Sequence, residues 1–175
     1  RTGAIRKTPL MRVVDGKNYV LIASQGGSPK NPVWYYNLKS NPNVDANEIA
    51  AIGYCFGGSV VLTMANMGED LDAVAAFHSG VQLPVMPTDA IKAKILVCNG
   101  AADPFVSEES IVNYTKSMDS VNADYEYIAY EDAVHAYTSK DADSLGKKFD
   151  LPLAYNKEAD EKSWEELKKL LDEVF

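Results

Sequence analysis

The sequence predicts an α/β fold, a mainly parallel sheet flanked by helices and preceded by a β-hairpin. Three observations carry this expectation. Beyond residue 45, short apolar runs alternate with helical patterns, as β-α-β units require. The run Ile52-Gly53-Tyr54-Cys55-Phe56-Gly57-Gly58 reads as a strand, a sharp turn and a helix start. Near the N-terminus two β-rich runs are separated by Asp15-Gly16-Lys17, and Asp-Gly between such runs is a strong hairpin signal.

The elements follow in order. Thr8–Val14 and Asn18–Ser24 are the hairpin arms. The Gly-, Pro- and Asn-rich stretch from Gln25 to Pro32 is a loop by composition. Val33–Leu38 is aromatic and fits a strand or a short helix, and Ser40–Asn47, with Pro42, marks the boundary between segments 1–44 and 45–175. Ile49–Tyr54 is a short apolar strand, and Gly57–Met67 a helix buried on most sides. Ala73–Phe77 and Ile95–Cys98 are strands. Ser107 suits the N-cap of a helix that runs through Ser110–Tyr114. Tyr125–Tyr130 reads as a strand, and Asp160–Phe175 as an amphipathic helix with Trp164, Leu167, Leu170, Leu171 and Val174 on its apolar face.

Composition narrows the class. A chain of 175 residues, 46% of them hydrophobic, can bury one good core. No stretch reaches the roughly 20 apolar residues of a membrane span, and the N-terminus has no basic-then-apolar leader pattern. Two cysteines, Cys55 and Cys98, make no disulfide framework. The expectation is a soluble protein of a reducing, cytoplasmic compartment. The net charge of −8 is unevenly spread: residues 1–44 hold seven Lys/Arg against one acid, and residues 45–175 hold ten against 24. Such asymmetry suggests two pieces with different partners, or a basic segment docked on an acidic body. The acidic body and the lack of a basic–aromatic motif argue against nucleic acid as a partner.

The chemistry-bearing residues fall where a parallel sheet places its active site, just past the carboxyl ends of strands. Cys55 follows the strand at 49–54, Asp103 the strand at 95, and His135 the strand at 125–130. The order nucleophile, acid, histidine matches a thiolate attacking a carbonyl, an imidazole moving the proton, and a carboxylate orienting the imidazole. The backbone N–H of Phe56 opens a helix and suits an oxyanion, and the helix N-terminus favours an anion at that place. Gly53 and Gly57 are the small residues that let the turn bend. Asp103 also suits a helix cap, although Ser107 is better placed for one. Cys98, inside an apolar strand, reads as an inert small hydrophobe. His78, in Phe77-His78-Ser79-Gly80, ends a strand and supports the site from behind. Tyr54, Phe56, Phe105 and Tyr137 lie near these residues in sequence and suggest an aromatic-lined substrate pocket.

Residues 45–175 resemble the dienelactone hydrolase family. The matching motifs are Asn47-Glu48-Ile49-Ala50-Ala51-Ile52-Gly53-Tyr54-Cys55-Phe56-Gly57-Gly58, Phe77-His78-Ser79-Gly80, Asn99-Gly100-Ala101-Ala102-Asp103-Pro104-Phe105-Val106 and Val134-His135-Ala136-Tyr137, with a tail from Ala154 to Trp164. The resemblance implies a partial, three-layer α/β-hydrolase fold, a triad of Cys55, His135 and Asp103, and hydrolysis of a small-molecule lactone or ester without metal or organic cofactor. In that family a longer segment before the nucleophile supplies further strands and a second oxyanion donor, and residues 1–44 do not look like it. A sheet lacking those strands exposes an edge, which the hairpin of residues 8–24 can pair with or cover, and which makes a homo-oligomer plausible.

Residues 1–44 instead resemble deazaflavin-dependent nitroreductases, through Arg6-Lys7-Thr8-Pro9-Leu10-Met11 and Ser24-Gln25-Gly26-Gly27-Ser28-Pro29-Lys30. That resemblance implies contacts from Arg6, Lys7, Thr8 and Lys30 to a polyanionic 8-hydroxy-5-deazaflavin. The chain thus reads as a chimera or fusion of two family fragments. Three functions follow: a lactone or ester hydrolase, a non-catalytic chimeric scaffold, and a deazaflavin-binding redox module.

Overall fold

The computed structural model describes residues 12–15, 18–21 and 48–175. The expected loop at 25–32, the aromatic run at 33–38, the boundary at 40–47, and Arg6, Lys7, Thr8 and Lys30 lie outside the described residues.

Strands β1 (Arg12–Asp15) and β2 (Asn18–Leu21) form an antiparallel pair with Asp15 opposite Asn18. The Asp-Gly signal therefore marks a hairpin, as expected. The body contains β3 (Ala50–Tyr54), α1 (Phe56–Asn66), β4 (Ala73–Phe77), β5 (Lys94–Gly100), α2 (Glu108–Ser120), β6 (Tyr125–Tyr130), α3 (Ala142–Phe149) and α4 (Lys157–Val174). Its four strands are all parallel and stand in the order β3-β4-β5-β6. Among the described residues the hairpin is a two-stranded sheet of its own, not hydrogen-bonded to β3.

The two inner strands explain the class of sheet. Every residue of β4 is buried, as is all of β5 beyond Lys94. Continuous burial of this kind needs a layer on each face. Alternate residues serve the two layers. Val74, Ala76, Ile95 and Val97 meet Val61, Leu62 and Ala65 of α1 and Tyr114 and Met118 of α2. Ala73, Ala75, Phe77, Leu96 and Cys98 meet Ala159, Leu167 and Leu170 of α4. The result is a three-layer sandwich.

Helix ends follow local chemistry. Ser107 caps α2, its Oγ accepting from the Ser110 N–H at 3.2 Å, as its sequence position predicts. Asn156 caps α4 by accepting from the Ala159 N–H, so this helix starts three residues before the expected Asp160. Helix α3 has no counterpart among the expected elements. No helix among the described residues is long and apolar enough to cross a membrane.

Candidate active site

Each strand of the body ends at the same edge of the sheet, and each delivers one polar residue there. Tyr54 closes β3 and Cys55 follows; Phe77 closes β4 and His78 follows. The loop after β5 carries Asp103, and the loop after β6 carries His135. The topology thus brings together side chains as far as 80 residues apart.

Cys55 sits at the turn itself, with φ 53° and ψ −125°, a conformation that a residue with a Cβ seldom adopts. The turn is held from both sides. The Cys55 N–H donates to the Phe77 carbonyl at 2.9 Å, and the Cys55 carbonyl accepts from the Gly58 and Ser59 N–H groups that start α1. Gly53 makes the bend possible, because a Cβ there would lie 2.2 Å from the Gly57 carbonyl oxygen. Gly57 contributes its backbone alone; a Cβ on it would meet nothing within 4 Å. The need for a small side chain therefore rests on Gly53, a refinement of the expectation for both glycines.

The loops after β5 and β6 approach each other closely. A Cβ on Gly100 would lie 2.1 Å from the Ala133 carbonyl oxygen, so only glycine lets them meet at this distance. Backbone bonds then join them: Ala101 N–H to the Tyr130 carbonyl at 2.8 Å, and Ala102 N–H to the Ala133 carbonyl at 3.0 Å.

These constraints align three side chains. His135 Nδ1 lies 2.8 Å from Asp103 Oδ2, and His135 Nε2 lies 3.0 Å from Cys55 Sγ. The contact to Asp103 turns Nδ1 toward the carboxyl group and leaves Nε2 facing the sulfur. Asp103 is buried, and its other oxygen accepts the Phe105 N–H at 2.9 Å, which fixes its orientation. Asp103 thus shapes its own loop while serving the histidine. Burial alone lowers the His135 pKa, but hydrogen bonds to Asp103 and Cys55 outweigh it and hold the imidazole above its ordinary value. The sulfur of Cys55 is exposed, whereas burial pushes the Cys98 thiol up to about 12, as befits an inert core residue.

The surroundings sort the remaining candidates. The N–H of Phe56 is the first of α1, where helix geometry provides no acceptor. Its side chain is 59% exposed. Phe105, 54% exposed, stands edge-on to the His135 ring with centroids 5.1 Å apart. Tyr137 is corrected from pocket wall to core. Tyr137 is fully buried with its hydroxyl donating to the Cys98 carbonyl, and Tyr54 is half-buried, stacked on Phe77 at 4.8 Å. Both point toward the α4 layer, because they pack with its apolar cluster.

His78 lies behind His135, their rings edge to face at 5.2 Å. Beside it runs a network that sequence reasoning missed. Asn99 Oδ1 accepts the Ser79 N–H, Asn99 Nδ2 donates to the Ser79 carbonyl, and the same amide meets the Tyr127 hydroxyl at 3.1 Å. Asn99 and Ser79 are completely buried and lock the end of β4 to the end of β5. A polar Asn-Gly interrupting the apolar run of β5 was the available signal.

The family model for the dienelactone hydrolase family matches residues 34–175. The chain belongs to the dienelactone hydrolase family. An uncharacterized protein of Caenorhabditis elegans is 28% identical over 145 residues, covering 79% of this chain and 87% of its own. A solved dienelactone hydrolase-like promiscuous phosphotriesterase from metagenomic libraries superposes with a TM-score of 0.70 at 34% identity. That match covers 78% of this chain and 56% of the solved one, so the chain spans just over half the length of this family structure. A second family model, F420H(2)-dependent quinone reductase, matches residues 1–53 and overlaps the first at 34–53. A Mycobacterium tuberculosis F420H(2)-dependent quinone reductase is 47% identical over 47 residues, covering 27% of this chain and 32% of its own. Residues 1–53 are therefore similar to a family other than the one that residues 34–175 belong to.

Proposed function

We propose that the chain is a cysteine hydrolase that opens lactones or small esters, with Cys55 as nucleophile, His135 as proton carrier and Asp103 as its orienting anion. The observation that carries this reading is the continuous line of contacts from Asp103 through His135 to the exposed Cys55 sulfur, at 2.8 and 3.0 Å. The family membership agrees with it.

The geometry supplies each step. With Nε2 taking the thiol proton, the Cys55 thiolate attacks the carbonyl carbon and a C–S bond forms. The carbonyl electrons move to oxygen, where the Phe56 N–H at the helix N-terminus meets the developing charge. Collapse breaks the C–O bond, and His135 Nε2 returns its proton to the departing alkoxide. Water, deprotonated by the same Nε2, then attacks the thioester; the C–S bond breaks and the acid leaves. In a lactone the alcohol and the acid remain on one product.

Hydrolysis of p-nitrophenyl acetate by the wild type, Cys55→Ala and His135→Ala tests the proposal. Each variant is expected to lose turnover by roughly 10³-fold or more. Equal rates in all three proteins would overturn it and favour a non-catalytic scaffold.

The match at residues 1–53 favours a second reading beside the first: the chain joins fragments of two families, as a fusion or recombined protein. Titration of the full chain with an 8-hydroxy-5-deazaflavin cofactor, followed by absorbance, tests whether that segment binds it. A saturable change supports the binding module, and an unchanged spectrum removes it.

A further inference from the structure

We propose that His78 is a positioning residue for His135, holding the imidazole against Asp103 and Cys55 through ring contact and through the hydroxyl of Thr138. This inference rests on the hydrolase reading of the same site and adds a residue to it.

Three independent observations point to His78. The first is contact: its ring lies edge to face with His135 at 5.2 Å, with Tyr137 at 5.4 Å on another side and Tyr54 at 5.8 Å on a third. Phe105 closes on His135 as well, at 5.1 Å. His135 is thus gripped by two edge-to-face aromatic contacts, one buried and one exposed.

The second is a tie across the chain. His78 Nε2 lies 2.9 Å from Thr138 Oγ1, a contact between residues 60 apart in sequence. Thr138 stands three residues beyond His135 on the same loop. That loop needs a restraint, because Ala136, immediately after His135, has φ 60°. Backbone bonds close the turn itself, Ser139 N–H to the Ala136 carbonyl at 2.9 Å and Asn156 N–H to the Tyr137 carbonyl at 3.1 Å, and the bond from the end of β4 to Thr138 ties it to the sheet beside His135.

The third is cost. His78 is 4% exposed, takes φ 39°, and leaves Nδ1 buried without a partner. Buried polar atoms are normally paired, and strained backbone gathers at functional sites. An apolar ring would carry no orphan nitrogen. What it lacks is a polar atom for Thr138.

The arrangement also requires an uncharged His78. The titratable groups facing the pair are Cys55, Asp103, Tyr54 and Tyr137, with Cys55 and Asp103 both directed at His135. Burial, followed by the proximity of His135, lowers the His78 pKa to about 4. A neutral ring at neutral pH lets His135 charge without repulsion.

The test compares the wild type with the isosteric Thr138→Val and with His78→Phe, by following the ring nitrogens of His135 with ¹⁵N NMR against pH. The chain has two histidines, so His78→Phe leaves one ring signal. Alkylation of Cys55 by iodoacetamide is read alongside. The expected result is that Thr138→Val, with a melting temperature near that of the wild type, moves the His135 midpoint down toward the ordinary value of about 6.5 and slows alkylation at neutral pH several-fold, with His78→Phe moving both the same way. Folded variants with an unchanged His135 midpoint and alkylation profile would overturn the proposal. Neither readout needs ester turnover. An inactive wild type whose His135 midpoint still answers to Thr138 would keep the positioning role and remove the hydrolase.

Discussion

At the scale of single residues, the two histidines are held in opposite states by neighbouring surroundings. His78 is buried against aromatic rings and its pKa falls to about 4, while His135 keeps a raised value through Asp103 and Cys55. The consequence for stability has two arms. The fold rejects a proton at His78, so that contribution is fully present above about 6.5 and is lost as pH falls toward 4. The fold retains a proton at His135, so its contribution is present below about 6.5 and is lost as pH rises through its folded value. Chemical denaturation across the pH range checks this. The wild type is expected to lose on the order of 3 kcal/mol between pH 6.5 and 4 through His78, and His78→Phe is expected to flatten that limb. An equally steep acid limb in the variant would assign the loss to other groups.

At the scale of elements, the turn between β3 and α1 is decided by backbone rather than by side-chain chemistry. Gly53 faces the Gly57 carbonyl across the bend, and nothing occupies the space beside Gly57. Gly53→Ala is therefore expected to cost about 3 kcal/mol or more through overpacking. Gly57→Ala, at a helical position, is expected to be neutral or stabilising by up to about 1 kcal/mol. Thermal unfolding of the two variants checks both signs. The same scale shows what the sequence reveals. Strands β3 to β6 are legible because each is a short apolar or aromatic run, and Ser107 is legible because a cap is a local signal. Helix α3 is not legible: Gly146 stands in its interior, packed against the Leu151 and Leu153 carbonyls, and Leu145 and Phe149 are exposed instead of forming a buried stripe.

At the scale of the whole molecule, legibility depends on distance along the chain. Cys55, Asp103 and His135 are recognisable because each follows its own strand, and a parallel sheet sends every strand end to one edge. Contacts that require the register of two strands are hidden. Asn99 reaches Ser79 only because Phe77 is level with Cys98, and His78 reaches Thr138 only once the loop after β6 has closed. Tyr137 misled for the same reason: nearness in sequence placed it by the site, and the fold buried it in the layer beneath α4.

The bend at Cys55 also bears on how such a protein changes over generations. Its unusual backbone is maintained by Gly53, by the Phe77 carbonyl and by the first N–H groups of α1, none of which involves sulfur. The framework presents a β-carbon at the mouth of the site and leaves open which atom hangs from it. A single-atom exchange of sulfur for oxygen leaves every one of those restraints in place. Cys55→Ser is therefore expected to keep the wild-type melting temperature within about 1 °C, a comparison that thermal unfolding makes directly.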